Sequence, residues 1–167
     1  MTRVAYFDCP MGVSGDMLLG ALIDTGLEGE QLTQELRGLD LPGYKLRWER
    51  VMKGPLVATQ VTVEVSETKT ERHLSDIEAF LDAATMPEIV RREAKNIFRW
   101  LAETEAKIHN TSPEKVHFHE VGATDSLVDI VGTLVALASL EVDEVVSSEV
   151  HLGSGEVQCR HGTLPVP

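Results

Sequence analysis

The stretch RVAYFDCPMGVSGDMLLGALIDTG, residues 3–26, sets the fold class. Residues 3–8 read as a strand, ended by Pro10 and Gly12. Ser14 fits a helix N-cap, and Asp16 falls in the first turn, where a negative charge suits the helix dipole. Met17, Leu18, Ala21 and Leu22 supply an apolar face, and Gly26 fits the C-terminal stop. A strand that turns at glycine into a helix belongs to an α/β or α+β protein. The free N–H groups of such a helix are a natural anion site. Asp8 sits at the carboxyl end of the strand, where ligand sites of α/β folds gather. The turn lacks the lysine of a P-loop and the third glycine of a dinucleotide fingerprint. Asp8 and Asp16 can equally be simple caps, and Cys9 reads more readily as core than as ligand.

Working outward, a second short helix is expected over about 28–38. The period then changes to two. Tyr44, Leu46 and Trp48 alternate with charged residues, as do Val57, Thr59, Val61, Val63 and Val65 with their neighbours. The break at KGP, 53–55, makes this a β-hairpin with a longer turn. SETKTERH, 66–73, reads as a polar loop, and His73 and His109 as surface residues. Ser75 and Glu78 form an expected capping box before a helix to about 84. Pro87 opens a longer helix with Val90, Ala94, Ile97, Phe98, Leu101 and Ile108 at helical spacing. A helix over 123–140 is apolar nearly all round, so it is expected to be buried on most sides. A strand near 143–150 and a glycine-rich tail complete the chain. The expected architecture is a mixed sheet with a β-hairpin, packed by several helices, with 40–110 a candidate sub-unit.

EKVHFHEVGATDSLVDIVG, 114–132, holds the candidate chemistry. In an extended segment His117 and His119 point the same way and Phe118 points into the core. Two imidazoles on one face can share a divalent cation or a phosphate, and with Glu120 next to them a metal suits them better than simple pairing with backbone carbonyls. Asp125 and Asp129 stand one turn apart on an otherwise apolar helix. Like charges at that spacing disfavour a helix by ~0.2–0.5 kcal/mol, and burial adds several kcal/mol unless each is paired. A bound cation reverses both effects. Capping explains Asp125 well and Asp129 poorly. In the tail, Gly153 and Gly155 permit close backbone approach, and Arg160 offers a local positive charge, although a plain glycine-rich loop is the default reading there. His151, Cys159 and His161 flank them.

Composition narrows the partners. The chain has 167 residues, is 43% hydrophobic, and carries 15 basic against 27 acidic residues, a formal net charge of −12. Such a surface repels phosphate backbones and concentrates cations, which argues against nucleic acid. The cysteines, Cys9 and Cys159, form no disulfide framework. The N-terminus lacks the apolar core of a signal peptide, and the longest apolar run, near 127–140, is too short for a membrane span. A cytoplasmic protein is expected, with no membrane partner.

Three segments, YFDCPMGVSGDMLLGALIDTG, VHFHEVGATDSLVDIVG and HLGSGEVQCRHGTLPVP, together resemble the LarC family of nickel-insertion proteins. The matching positions are Asp8, Ser14, Gly15 and Asp16; His117, His119, Glu120, Asp125 and Asp129; and His151, Gly153, Gly155, His161 and Gly162. Pro10-Met11 is a small departure. The resemblance implies a nickel chelatase, or cyclometallase, of the lyase class. It would insert nickel into pyridinium-3,5-bisthiocarboxylic acid mononucleotide in a CTP-dependent reaction that forms a carbon–nickel bond. The product would serve lactate racemase and related enzymes. Residues 1–167 would be the N-terminal domain, with a C-terminal domain, in the same protein or a separate chain, bringing CTP with magnesium or manganese; the fragment alone would be inactive. A homo-oligomer is expected. On this reading His117, His119 and Glu120 are the catalytic candidates. Asp8, His117, His119, Asp125, Asp129 and His151 are the metal candidates. Ser14, Gly15, Asp16, Gly153, Gly155, Arg160 and His161 would bind the nucleotide and its phosphate. The rival readings are a metal-dependent phosphohydrolase or nucleotidyl transferase, and a non-catalytic module that binds metal or substrate.

Overall fold

The computed structural model describes residues 1–66, 72–118, 121–159 and 162–166. Strand β1 (Val4–Phe7) leads to helix α1 (Gly15–Asp24), then α2 (Gly29–Leu36). The hairpin follows as β2 (Tyr44–Lys53) and β3 (Leu56–Val65). A short strand β4 (Arg72–His73) enters helix α3 (Leu74–Ala83), and α4 (Glu88–His109) runs back. Then come β5 (His117–Phe118), α5 (Thr124–Ser139), β6 (Glu144–Ser147), β7 (Glu156–Cys159) and β8 (Gly162–Pro165). The α/β class holds. Parallel and antiparallel pairing both occur, spread among the described residues over four two-stranded sheets: β1 with β6 in parallel, and β2–β3, β4–β5 and β7–β8 antiparallel.

Helix α5 is the axis of the core. Leu127, Val128, Val131, Val135 and Ala136 are buried, and of its residues only Asp125 is exposed, as its all-round apolar pattern predicts. Helix α1 packs on α5 and on the hairpin. Its buried face is Leu19, Gly20 and Leu22, not the stripe centred on Met17 and Ala21, which are exposed. The face is rotated because Leu19 packs over Gly132 of α5. Asp24, at the end of α1, accepts hydrogen bonds from Thr59 N–H at 3.0 Å and Thr59 Oγ1 at 2.7 Å and pairs with Arg50, tying the helix to β3.

Period two in the hairpin places Leu46 and Val61 in the core. The turn is tighter than expected: Lys53 pairs with Leu56, leaving only Gly54 and Pro55 between the strands. In α4 the buried stripe runs Val90, Ala94, Phe98, Ala102 and Ala106, while Ile108 is exposed. The α3 cap also differs. The helix begins at Leu74, so Ser75 lies inside its first turn, and it is the Asp76 carboxylate that accepts the His73 N–H at 2.9 Å. Gly153 and Gly155 lie in a loop, as expected, and the residues after them form a hairpin in which β7 and β8 pair from Glu156–Pro165 to Cys159–Gly162. Among the described residues no helix is long and apolar enough to cross a membrane.

Candidate functional site

The turn between β1 and α1 is the hub of the three motifs. On one side, Ser148 Oγ accepts the Cys9 N–H at 2.8 Å, and His151 N–H reaches Cys9 O at 3.4 Å. A side chain at Gly12, whose φ is +81°, would meet the His151 carbonyl at 2.8 Å, so the third motif lies against the first. On the other side, a Cβ at Gly15 would overlap the Asp129 side chain. Only glycine lets the first turn of α1 approach α5 this closely.

Asp129 is therefore held over the start of α1, with Asp16 and Asp125 near enough to act on its charge. Burial first, then the negative charges of Asp16 and Asp125, push its carboxyl up to about 6. Its Oδ1 is buried and accepts no hydrogen bond within the described structure, and the same holds for Thr133 Oγ1 one turn further along α5. Asp129 and Thr133 line an open groove of about 660 Å³ whose other walls include Leu18, Leu101, Ile130 and Leu134. A carboxylate with an unused oxygen against an apolar wall calls for a cation or a proton.

Ser14 and Gly15 form the rim of this groove. Ser14 has the extended backbone of an N-cap, but its hydroxyl donates to Asp16, whose Oδ1 also accepts the Met17 N–H at 2.9 Å. With Asp16 and Asp129 both at this helix end, a phosphate would reach it only through a bridging cation. Asp125 is exposed in the first turn of α5, where its Oδ1 accepts the Ser126 N–H at 2.9 Å.

His117 and Phe118 separate as the alternation requires: His117 is exposed and Phe118 fully buried, edge-on to Phe98. The expectation for His73 is corrected. It is no isolated surface residue but the direct cross-strand partner of His117, with ring centroids 3.9 Å apart. His109 is exposed, as expected, although it too has a partner. Arg72, unremarked in sequence, donates to Gly122 O and, at 3.3 Å, to Thr124 Oγ1, fixing the loop into α5. Asp8 is exposed. His151 is exposed too, and its Nδ1 accepts the Gly153 N–H at 3.0 Å. Gly153 and Gly155 both have positive φ. His119, Glu120, Arg160 and His161 lie outside the described residues. Among the described residues no three His, Cys, Asp or Glu side chains converge closely enough to hold a metal ion by themselves.

The fold and groove define an α/β protein with an open, carboxylate-bearing groove at a helix N-terminus. The model of the family described as nickel insertion protein matches residues 5–167, and the chain belongs to that family. Among its relatives is the pyridinium-3,5-bisthiocarboxylic acid mononucleotide nickel insertion protein of Desulfitobacterium hafniense, 46% identical over 99% of this chain and 41% of that protein. The proteins of the same name from Acetivibrio thermocellus and Staphylococcus epidermidis are 46% and 41% identical over 99% and 100% of this chain, covering 43% and 42% of their own lengths. The chain thus spans about two-fifths of the length of these relatives. No solved structure matches it.

Proposed function

We propose that this chain is the part of a nickel insertion protein that holds the organic substrate, pyridinium-3,5-bisthiocarboxylic acid mononucleotide, while nickel enters it. The observation that carries this reading is the Asp129 carboxylate, with its unpartnered oxygen in an apolar groove. A pyridinium ring is flat, apolar on its faces and positively charged, so Leu18, Leu101, Ile130 and Leu134 match its faces and Asp129 matches its charge. Forming a carbon–nickel bond releases the ring proton at the metallated carbon. A carboxylate poised at about 6 is competent to accept it near neutral pH. Asp16 and Asp125 add negative charge that draws a divalent metal toward the same place. His117 and the other imidazoles of the motifs serve as nickel donors.

The rest of the full-length protein supplies CTP with magnesium or manganese, and the chain needs that part to turn over. The product is the nickel-pincer cofactor of lactate racemase-type enzymes, which places the reaction in the lyase class. The test is nickel insertion by the full-length protein carrying Asp129→Asn, assayed with and without CTP. Loss of a positioned base predicts a fall of about a hundredfold or more. Insertion at the wild-type rate sinks the assignment.

A further inference from the structure

His73 and His117 lie directly opposite one another on β4 and β5, so their side chains rise from the same face. Their rings are 3.9 Å apart between centroids and tilted by 50°. The His73 ring is fixed by a 3.1 Å contact from Nδ1 to the Val116 carbonyl. In the tautomer that carries its proton on Nδ1, this contact is a hydrogen bond to the carbonyl and Nε2 keeps its lone pair. This is the outer arrangement that orients metal-ligating histidines, a backbone acceptor on one nitrogen and the metal on the other. His117 is exposed beside it, so a hydrated ion can reach the pair. The pair's chain neighbours lie toward the groove: Gly122, which follows the lining residue Val121, packs against Phe118 and the Arg72 backbone.

We infer that His73 and His117 form a two-point capture site for nickel that hands the metal to the substrate in the adjoining groove; this rests on the function proposed above. Neutral imidazole suits nickel, and two donors leave most of the metal's coordination positions for water and then for the substrate's sulfur atoms. A closed cage of three or four side chains would retain the metal. The Asp76 carboxylate at the start of α3 adds a favourable field close to His73.

The test is Ni²⁺ affinity of the full-length protein, read by competition with a chromophoric chelator, together with nickel X-ray absorption. His73→Asn keeps a donor where Nδ1 stands and a good helix N-cap, while removing the second ring nitrogen. It and His117→Gln should each weaken Ni²⁺ binding about tenfold or more, with loss of imidazole scattering, and the double variant should be little weaker than either single one. Wild-type Ni²⁺ affinity in His73→Asn overturns the capture site. Parallel insertion assays separate the two ideas. If wild-type protein inserts no nickel but His73→Asn still loses Ni²⁺, the proposed function falls and the capture site stands. If insertion proceeds and His73→Asn binds Ni²⁺ normally, the capture site falls and the function stands.

Discussion

The aspartate groove and the imidazole pair place polar groups in opposite circumstances. Asp129 is half-buried, lacks a hydrogen bond on Oδ1 and faces two further carboxylates, so the fold holds it at a cost. His73 and His117 sit on a short strand pair, one ring anchored to a carbonyl and the other in water. Strain at Asp129 is relieved by a cation or a proton. The imidazoles need no relief and lose little by waiting for metal. The contrast assigns chemistry to the groove and capture to the strands.

The comparison breaks most easily at Gly15. Gly15→Ala places a methyl group into Asp129 and forces α1 off α5. Urea denaturation should show a loss of about 2–3 kcal/mol, accompanied by loss of insertion. Stability unchanged within error would mean that the close approach is not needed.

A second prediction sharpens the electrostatic half. The Asp129 pKa in the folded chain, about 6, lies above the 3.8 of an ordinary aspartate. The acid is thus favoured in the native state, and the unfolded chain gives up its proton first. This contribution to stability is full below about pH 4 and is lost as pH rises through 6, where it levels off. The wild-type chain should lose on the order of 2 kcal/mol across that window relative to Asp129→Asn. Parallel pH profiles for the two proteins would contradict it. The variant should therefore be the more stable protein at pH 8 and the less active one. Conservative changes at His73 should leave the pH profile of stability as it is.

Much of this was legible in the sequence, and the limits have physical causes. The all-round apolar pattern announced α5, and Asp129 stood out as a charge that helix capping explains poorly. Alternation correctly divided His117 from Phe118. Contacts between distant segments were not legible. His73 meets His117 only because β4 pairs with β5 across the intervening α3 and α4. The rotation of α1 onto Leu19 depends on Gly132, far along the chain. Helical spacing alone also favoured Ile108 over Ala102 and Ala106, because periodicity ranks residues by apolarity whereas close helix packing selects small ones. The Asp76 cap was hidden because Ser75 and Glu78 offered a matching pattern two residues beyond the true pair, His73 and Asp76.

The central claim is that Asp129 receives the proton that nickel displaces from the ring. The pH dependence of nickel insertion by the full-length protein tests it most directly, measured as kcat/KM, well below substrate saturation, from pH 5 to 8. The expected rate rises to a plateau with a midpoint near 6, where Asp129 titrates, and that limb disappears from the residual activity of Asp129→Asn. A limb that persists unchanged in the variant contradicts the claim.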